Sequence, residues 1–300
     1  MVKRIFYFNI TYGCNGNCIY CYSHNTRHGA VSYNEISVYS FFNYLESNGI
    51  KATDRVIING GEPLSHTNID QILLGLIKYD CDVLIYTNGR LLSKFDFSLL
   101  NDNFRFIVPI HGNEDIHDEI TGVNGSYLET IKGLAHMAKS TSCIVDIKII
   151  LNSSIVEKDF SLNKLLDSFE NDIIFNGAVH LTKMAETIVS KKNKYKIVSD
   201  EIAAKYMMNL CNYFYDKGTV IKLFDTCIKE ISFPNMNTYE PYKKEIIVHF
   251  KDAKQDRILD LLPGKKDCSR NCLKSELCVS AVNEYKALII EKNKIFEDLE

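Results

Sequence analysis

The sequence predicts an α/β fold: a partial (β/α)6 TIM-like barrel over residues 1–185, a helical connection over 186–218 and a small α+β unit over 219–300. Three observations carry this expectation. Short β-branched runs alternate with longer segments of helical period through the first 185 residues. Successive strand-then-helix units require parallel strands joined by right-handed crossovers, and six such units stop short of the eight that close a barrel. Beyond residue 185 the rhythm changes to one long helix followed by further strand-like runs.

The elements follow in order. Ile5–Ile10 reads as the first strand, and Asn34–Asn48 as a helix with Tyr39, Phe42 and Leu45 on one face. Arg55–Asn59 and Asp82–Tyr86 are the next strands, separated by a helix over Asn68–Tyr79. A short helix is expected at Phe97–Leu100, a strand at Phe104–Ile110 and a helix at Tyr127–Lys139. Ser126, with Glu129 three residues on, has the spacing of an N-terminal capping box. Strand five is Cys143–Ile150, followed by a helix at Leu162–Phe169. Strand six is read at Ile173–Phe175, extending to His180. Asp200–Tyr215 has helical period and Thr219–Phe224 is strand-like. Lys244–Phe250 and Arg257–Asp260 form a hairpin pattern, and a closing helix is expected over Val282–Asp298. There is no repeat and no low-complexity tract.

Hydrophobic residues make up 46% of the 300, enough for a sizeable core, and the formal net charge is −3. No basic excess marks a nucleic-acid scaffold. No apolar stretch of about 18 residues marks a membrane span. Met1–Arg4 runs into a strand without an export signal, so a cytoplasmic protein is expected. Ten cysteines are many for such a chain. Cys81, Cys143 and Cys211 sit in apolar runs and read as small buried hydrophobes. Six others fall in two tight groups, Cys14, Cys18, Cys21 and Cys268, Cys272, Cys278, which favours metal ligation over disulfides.

The first group lies in Thr11-Tyr12-Gly13-Cys14-Asn15-Gly16-Asn17-Cys18-Ile19-Tyr20-Cys21, directly after strand one. Three thiolates can hold three irons of a four-iron cluster and leave the fourth without a protein ligand. An incomplete shell marks a site that does chemistry; zinc completed by His24 or His28 is the alternative. Strand two ends in Gly60-Gly61-Glu62-Pro63, where glycines allow backbone to approach a ligand. Thr87-Asn88-Gly89, His111-Gly112 and Asn152 follow strands three to five. All these residues share the carboxyl-terminal rim, where such folds place their chemistry. Asn88 and Asn152 read equally as turn residues, and His111 equally as a strand cap.

The cysteine spacing, three residues then two with an aromatic before the last, resembles the radical S-adenosylmethionine (SAM) superfamily. The resemblance implies a [4Fe-4S] cluster on Cys14, Cys18 and Cys21 whose open iron binds SAM, with reductive cleavage to a 5′-deoxyadenosyl radical. It implies that Tyr20 lies against the adenine and that Gly60, Gly61, Glu62 and Pro63 hold the methionine ammonium. Asn88, His111 and Asn152 take the rim positions that bind ribose and carboxylate in relatives. Pro109 and His111 replace the usual hydroxyl or acid after strand four. Cys227 with Cys268, Cys272 and Cys278 resembles the auxiliary-cluster appendage called twitch or SPASM, which implies a second [4Fe-4S] cluster. A four-thiolate zinc site is the alternative there. Family members with this appendage mostly modify peptides or proteins. The expectation is a maturase of a ribosomally made peptide, supplied with electrons by a flavodoxin or ferredoxin. A small-molecule enzyme of the same superfamily, or an activase or formylglycine-type protein maturase, are the alternatives.

Overall fold

The computed structural model describes residues 4–21, 35–140, 142–157, 161–184 and 198–223, and the backbone of four strands at 236–239, 244–249, 254–260 and 287–290. Strands β1 (Arg4–Thr11), β2 (Arg55–Gly60), β3 (Asp82–Tyr86), β4 (Phe104–Ile110), β5 (Ile144–Leu151), β6 (Val179–Lys183) and β7 (Ile221–Leu223) are consecutive parallel neighbours. Strands β8 (Met236–Tyr239), β9 (Lys244–His249), β10 (Lys254–Asp260) and β11 (Ala287–Ile290) complete an open row in the order β10-β9-β1-β2-β3-β4-β5-β6-β7-β11-β8. The helices are α1 (Val38–Ser47), α2 (Ile69–Leu76), α3 (Glu114–Thr121), α4 (Ser126–Ser140), α5 (Ser153–Glu157), α6 (Ser161–Asn171) and α7 (Asp200–Asp216).

Strand alternation assigns the two faces of the sheet. Phe6, Phe8, Val56, Ile58, Val83, Ile85, Phe106, Val108, Ile147 and Leu181 join one large core with the helices. Ile5, Ile57, Leu84 and Ile107 form a small second cluster on the opposite, inner face, with Tyr7 and Tyr86 packed on it. Burial on both faces explains why these strands read as near-continuous apolar runs.

Several expectations are corrected. Strand six begins at Val179, not Ile173. The Asn176 side chain accepts from Val145 N–H (2.7 Å) and donates to the Cys143 carbonyl (3.1 Å), so β5's first ladder positions are already taken. Phe97–Leu100 is a single turn closed by Leu100 N–H on the Phe97 carbonyl, and a 3-10 turn forms at Leu92–Lys94 instead. Val282–Asp298 is not one helix, because Ala287–Ile290 pairs as a strand with β7 and β8. Its Leu-Ile-Ile run suits a strand once neighbouring strands offer partners. Helix α3 has no counterpart among the expected elements. The Ser126 capping box does not form. Gly125 carbonyl accepts from Glu129 N–H, while Asp118 of α3 takes the Gly125 and Tyr127 amides and the Ser126 hydroxyl.

Candidate functional site

The cysteine loop, Tyr12 to Cys21, leaves the carboxyl end of β1 and is held from three sides. From β2, Gly61 N–H donates to the Thr11 carbonyl and Glu62 N–H to the Gly13 carbonyl, both at 2.7 Å. From β3, Asn88 Nδ2 donates to Asn15 Oδ1 (2.6 Å) and Arg90 donates to the Asn15 carbonyl. From α3, the Thr121 and Ile120 carbonyls accept from Asn17 N–H (2.9 Å) and Ile19 N–H (3.0 Å). These carbonyls belong to the last turn of a helix, where they have no partner inside it.

Within the loop, Gly16 N–H donates to Cys14 Sγ at 3.3 Å. A Cβ on Gly16 would lie 3.7 Å from Cys14 Sγ and 3.8 Å from Cys18 Sγ, so this glycine leaves the thiols clear of a side chain. Cys14, Cys18 and Cys21 form no disulfide and are half-buried. Burial, and then the nearby charges of Cys18, Cys21 and Cys14, push the Tyr20 phenol well above its usual range. Among the described residues no three His, Cys, Asp or Glu side chains form a single-ion site.

The Gly60–Pro63 turn is tied to this loop by close contact. Gly60 has φ +147°, and a Cβ there would collide with the Thr11 carbonyl oxygen. A Cβ on Gly61 would collide with the Gly13 carbonyl oxygen. Glu62 is buried, and its carboxylate turns toward β3. Oε1 accepts from Leu64 N–H (3.0 Å) and Thr87 Oγ1 (2.6 Å), and Oε2 from Asn88 N–H (2.7 Å). Burial raises its pKa above the ordinary value against the pull of these bonds. Glu62 thus joins the ends of β2 and β3, and Pro63 opens the 3-10 turn that follows.

After β4, His111 is buried and its Nε2 shares a hydrogen bond with Tyr20 Oη at 2.9 Å. The Tyr20 and His111 rings meet edge-on at 5.2 Å. His111 Nδ1 has no hydrogen-bond partner among the described residues. Burial, then the neighbouring His117, lowers the His111 pKa well below the usual histidine range. Its ring is therefore neutral at pH 7. His117 Nδ1 accepts from the His111 backbone N–H at 3.4 Å. Asn152 donates to the His111 and Ile150 carbonyls (2.8 and 3.1 Å) and accepts from Ile155 N–H at the start of α5 (3.1 Å).

The structure thus brings Cys14, Cys18, Cys21, Tyr20, Gly60, Gly61, Glu62, Asn88 and His111 to one rim, with Asn152 behind His111. Cys227, Cys268, Cys272, Cys278, His24 and His28 lie outside the described residues. Sequence reasoning gave no role to Asn15 or Thr87 and missed Arg90. Arg90 also pairs with Glu129 at 2.5 Å, the residue whose spacing suggests a capping role. Only the proximity of Arg90 to Asn88 in sequence hints at this.

The donor set fits a four-iron cluster with an open iron. Three thiols sit in one loop, and each iron of such a cluster takes its own thiolate. The unpartnered His111 nitrogen leaves a buried polar atom at the same rim for a further ligand.

Residues 8–152 match the model of the radical SAM superfamily. The chain is 24% identical over 234 residues to an AdoMet-dependent heme synthase of Methanosarcina barkeri, covering 75% of this chain and 62% of that protein. It is 31% identical over 131 residues to the antilisterial bacteriocin subtilosin biosynthesis protein AlbA of Bacillus subtilis, covering 42% of this chain and 28% of AlbA. The fold is similar to that of Streptococcus suis SuiB, solved bound to its precursor peptide SuiA. The TM-score is 0.55 at 15% identity, over 83% of this chain and 58% of SuiB. The chain thus spans less than two thirds of the length of each of these proteins.

Proposed function

Because residues 8–152 carry a radical SAM domain, we propose that this chain binds a [4Fe-4S] cluster through Cys14, Cys18 and Cys21 and acts with SAM on a ribosomally made peptide. The observation that carries the reading is the pinning of a three-cysteine loop by Gly61 and Glu62 of the next strand end. When bound, a cluster held by Cys14, Cys18 and Cys21 together with SAM would supply radical chemistry for hydrogen abstraction from the substrate.

The chain's own residues do the positioning. Asn15, Asn88 and Arg90 fix the cysteine loop from β3. Gly60 and Gly61 let the β2 turn close on the Thr11 and Gly13 carbonyls, where a side chain would collide. Glu62 keeps the β2 and β3 ends in register through Thr87 and Asn88. His111, neutral and buried, holds the Tyr20 ring by its hydroxyl. A flavodoxin or ferredoxin would supply the electron.

Two facts support a peptide substrate: the name of the bacteriocin-biosynthesis relative, and a shared fold with an enzyme solved on its precursor peptide. The heme synthase relative favours a second reading, a small-molecule substrate. Cys227, Cys268, Cys272 and Cys278 would hold the auxiliary cluster in a unit over 219–300, after a barrel over 1–185 and a connection over 186–218. Among the described residues no helix is long and apolar enough to cross a membrane.

The test is anaerobic reconstitution followed by SAM and dithionite. The wild-type chain should form 5′-deoxyadenosine, and Cys18→Ala should form none above background. A wild-type chain with its cluster intact but no 5′-deoxyadenosine would sink the proposal, and so would retained turnover in Cys18→Ala.

A further inference from the structure

Hydrogen bonds anchor the cysteine loop beside each of its thiols. Gly13 and Asn15 flank Cys14: Glu62 N–H donates to the Gly13 carbonyl, and Asn88 and Arg90 hold Asn15. Asn17 and Ile19 flank Cys18, and both donate their N–H to the last turn of α3. Cys21 N–H closes back on the Cys18 carbonyl at 3.1 Å. Before Cys21 stands Tyr20, whose hydroxyl meets His111 Nε2 at 2.9 Å and so carries the loop across to the end of β4. Tyr22, on the far side of Cys21, lies outside the described residues. Two thiols thus have neighbours held largely through backbone groups. The third has a neighbour held through one phenol–imidazole bond.

The imidazole is the fixed partner of that bond. His111 is only 1% exposed. Its N–H donates to His117 Nδ1 at 3.4 Å, and its carbonyl accepts from Asn152 Nδ2 at 2.8 Å, so both backbone groups are engaged. The centroid of the His117 ring lies 5.0 Å from that of His111. His117 belongs to α3, the helix whose last turn takes the Asn17 and Ile19 amides, so both grips on the second half of the loop share one support. A neutral imidazole has one N–H and one bare nitrogen. Nε2 serves Tyr20, and Nδ1 has no partner among the described residues. The Tyr20 ring meets that of His111 edge-on, with centroids 5.2 Å apart. A phenylalanine at position 20 would fill the same space and lose the bond.

We infer that His111 is a positioning residue for Cys21, acting through the Tyr20 hydroxyl. The inference rests on the proposed cluster and deepens it, by naming what sets the third thiolate in place. A cluster bound by three thiolates has no spare protein ligand, so each sulfur must be held where its iron will be. Residues behind the ligands do that orienting. Here the support runs from α3 and β5, through the His111 ring, to Tyr20 and the adjoining Cys21. The bond uses Nε2 alone, so an acceptor or donor placed at that distance from β4 is what the loop requires of position 111.

The experiment uses the full chain in two states. In the iron-free chain, the rate at which iodoacetamide alkylates each thiol is read by peptide mass spectrometry. In the reconstituted chain, the rate of iron release to a ferrous chelator is read after dithionite reduction. Tyr20→Phe keeps the ring and drops the hydroxyl. It should speed alkylation of Cys21 about three- to tenfold, the worth of one hydrogen bond, and leave Cys14 and Cys18 within about twofold of wild type. His111→Leu should do the same, and combining it with Tyr20→Phe should add nothing, because both remove one interaction. His111→Gln, whose amide reaches as far as Nε2, should keep Cys21 near the wild-type rate. His111→Asn, whose amide reaches only as far as Nδ1, should not. Iron release should follow the same order. Tyr20→Phe carries the test if His111→Leu fails to fold. Cys21 alkylation unchanged in Tyr20→Phe, an equal rise at all three thiols, or additive effects in the double variant would overturn the inference. Protection by His111→Asn but not by His111→Gln would overturn it too, placing the role of His111 at Nδ1. A chain that takes up no iron yet shows the coupled, Cys21-selective rise would fault the cluster reading and leave the tie standing. Formation of 5′-deoxyadenosine by wild type, with Cys21 alkylation unchanged in Tyr20→Phe, would do the reverse.

Discussion

Glu62 shows how a residue singled out in the sequence for a ligand can have a task in the fold that the sequence does not say. Its place after two glycines at a strand end marks it as part of the site. Its carboxylate is nonetheless committed to Thr87, Asn88 and Leu64, a buried tie between two strand ends. His117 behaves likewise, with a measurable consequence. It is buried against Tyr127 and His111. Burial lowers its pKa to about 4, although the Asp118 charge works the other way. The unfolded chain, with an ordinary histidine near pH 6.5, therefore binds more protons than the folded one between about pH 4 and 6.5. Stability rises with pH through that window and is lost as pH falls. The largest effect of this one residue is about 3 kcal/mol, at roughly 1.4 kcal/mol for each pH unit between the two values. His117→Gln should flatten the fall of the urea midpoint between pH 6.5 and 4.5 relative to wild type. An equally steep fall in the variant would show that His117 does not titrate as its burial demands.

At the scale of elements, the junction between α3 and α4 decides how the cysteine loop is held. Gly122 in the left-handed conformation (φ +65°) ends α3, and a Cβ there would come within 2.9 Å of the Asn17 carbonyl oxygen. The helix end can therefore lie against the loop. Asp118 supplies the amide acceptors for the start of α4, the task expected of Ser126. Burial pushes the Asp118 carboxyl up, but the Tyr127 amide, the Ser126 hydroxyl and the Gly125 amide together hold it below its ordinary value. Asp118→Ala should cost about 1–2 kcal/mol, the usual loss of a helix cap. It should also loosen the cysteine loop, because Thr121 and Ile120 of the same helix accept its amides. Chemical denaturation checks the first effect, and iron retention after desalting the second. Unchanged values in both would show that Asp118 does not organise this junction. Strands β1 to β5 were legible because runs such as Phe-Arg-Phe-Ile-Val-Pro-Ile are apolar on both faces. The loops of the candidate site stood out in the sequence because Cys and Gly cluster at the ends of β1 and β2. Strand β6 and the α4 cap were not legible. Both depend on which side chain reaches a given amide first, Asn176 in one case and Asp118 in the other, and that competition is settled only in three dimensions.

For the whole molecule, the controlling fact is that the parallel sheet does not end where the repeating units end. Sequence rhythm stops near residue 185, but β7 continues the parallel row beside β6, and β9 adds a parallel partner to β1 at the other side. The hairpin of β9 and β10 was readable from its two runs and polar turn. Its destination was not, since nothing in Lys244–His249 names β1 as its neighbour. β1 therefore carries ladder bonds to both β2 and β9 while bearing the cysteine loop at its end. Removing the chain after residue 243 strips β9 from β1 and leaves Arg4–Asn9 as a long edge strand rich in Ile and Phe. Such edges pair with other chains. A chain truncated after residue 243 should aggregate at concentrations where the full chain is monomeric, and after reconstitution should hold less of the iron proposed for the cysteine loop as β1 distorts. Light scattering and iron content check this. A soluble monomeric fragment that retains its iron would mean that β1 needs no partner on that side, and that the cysteine loop is held by β2, β3 and α3 alone.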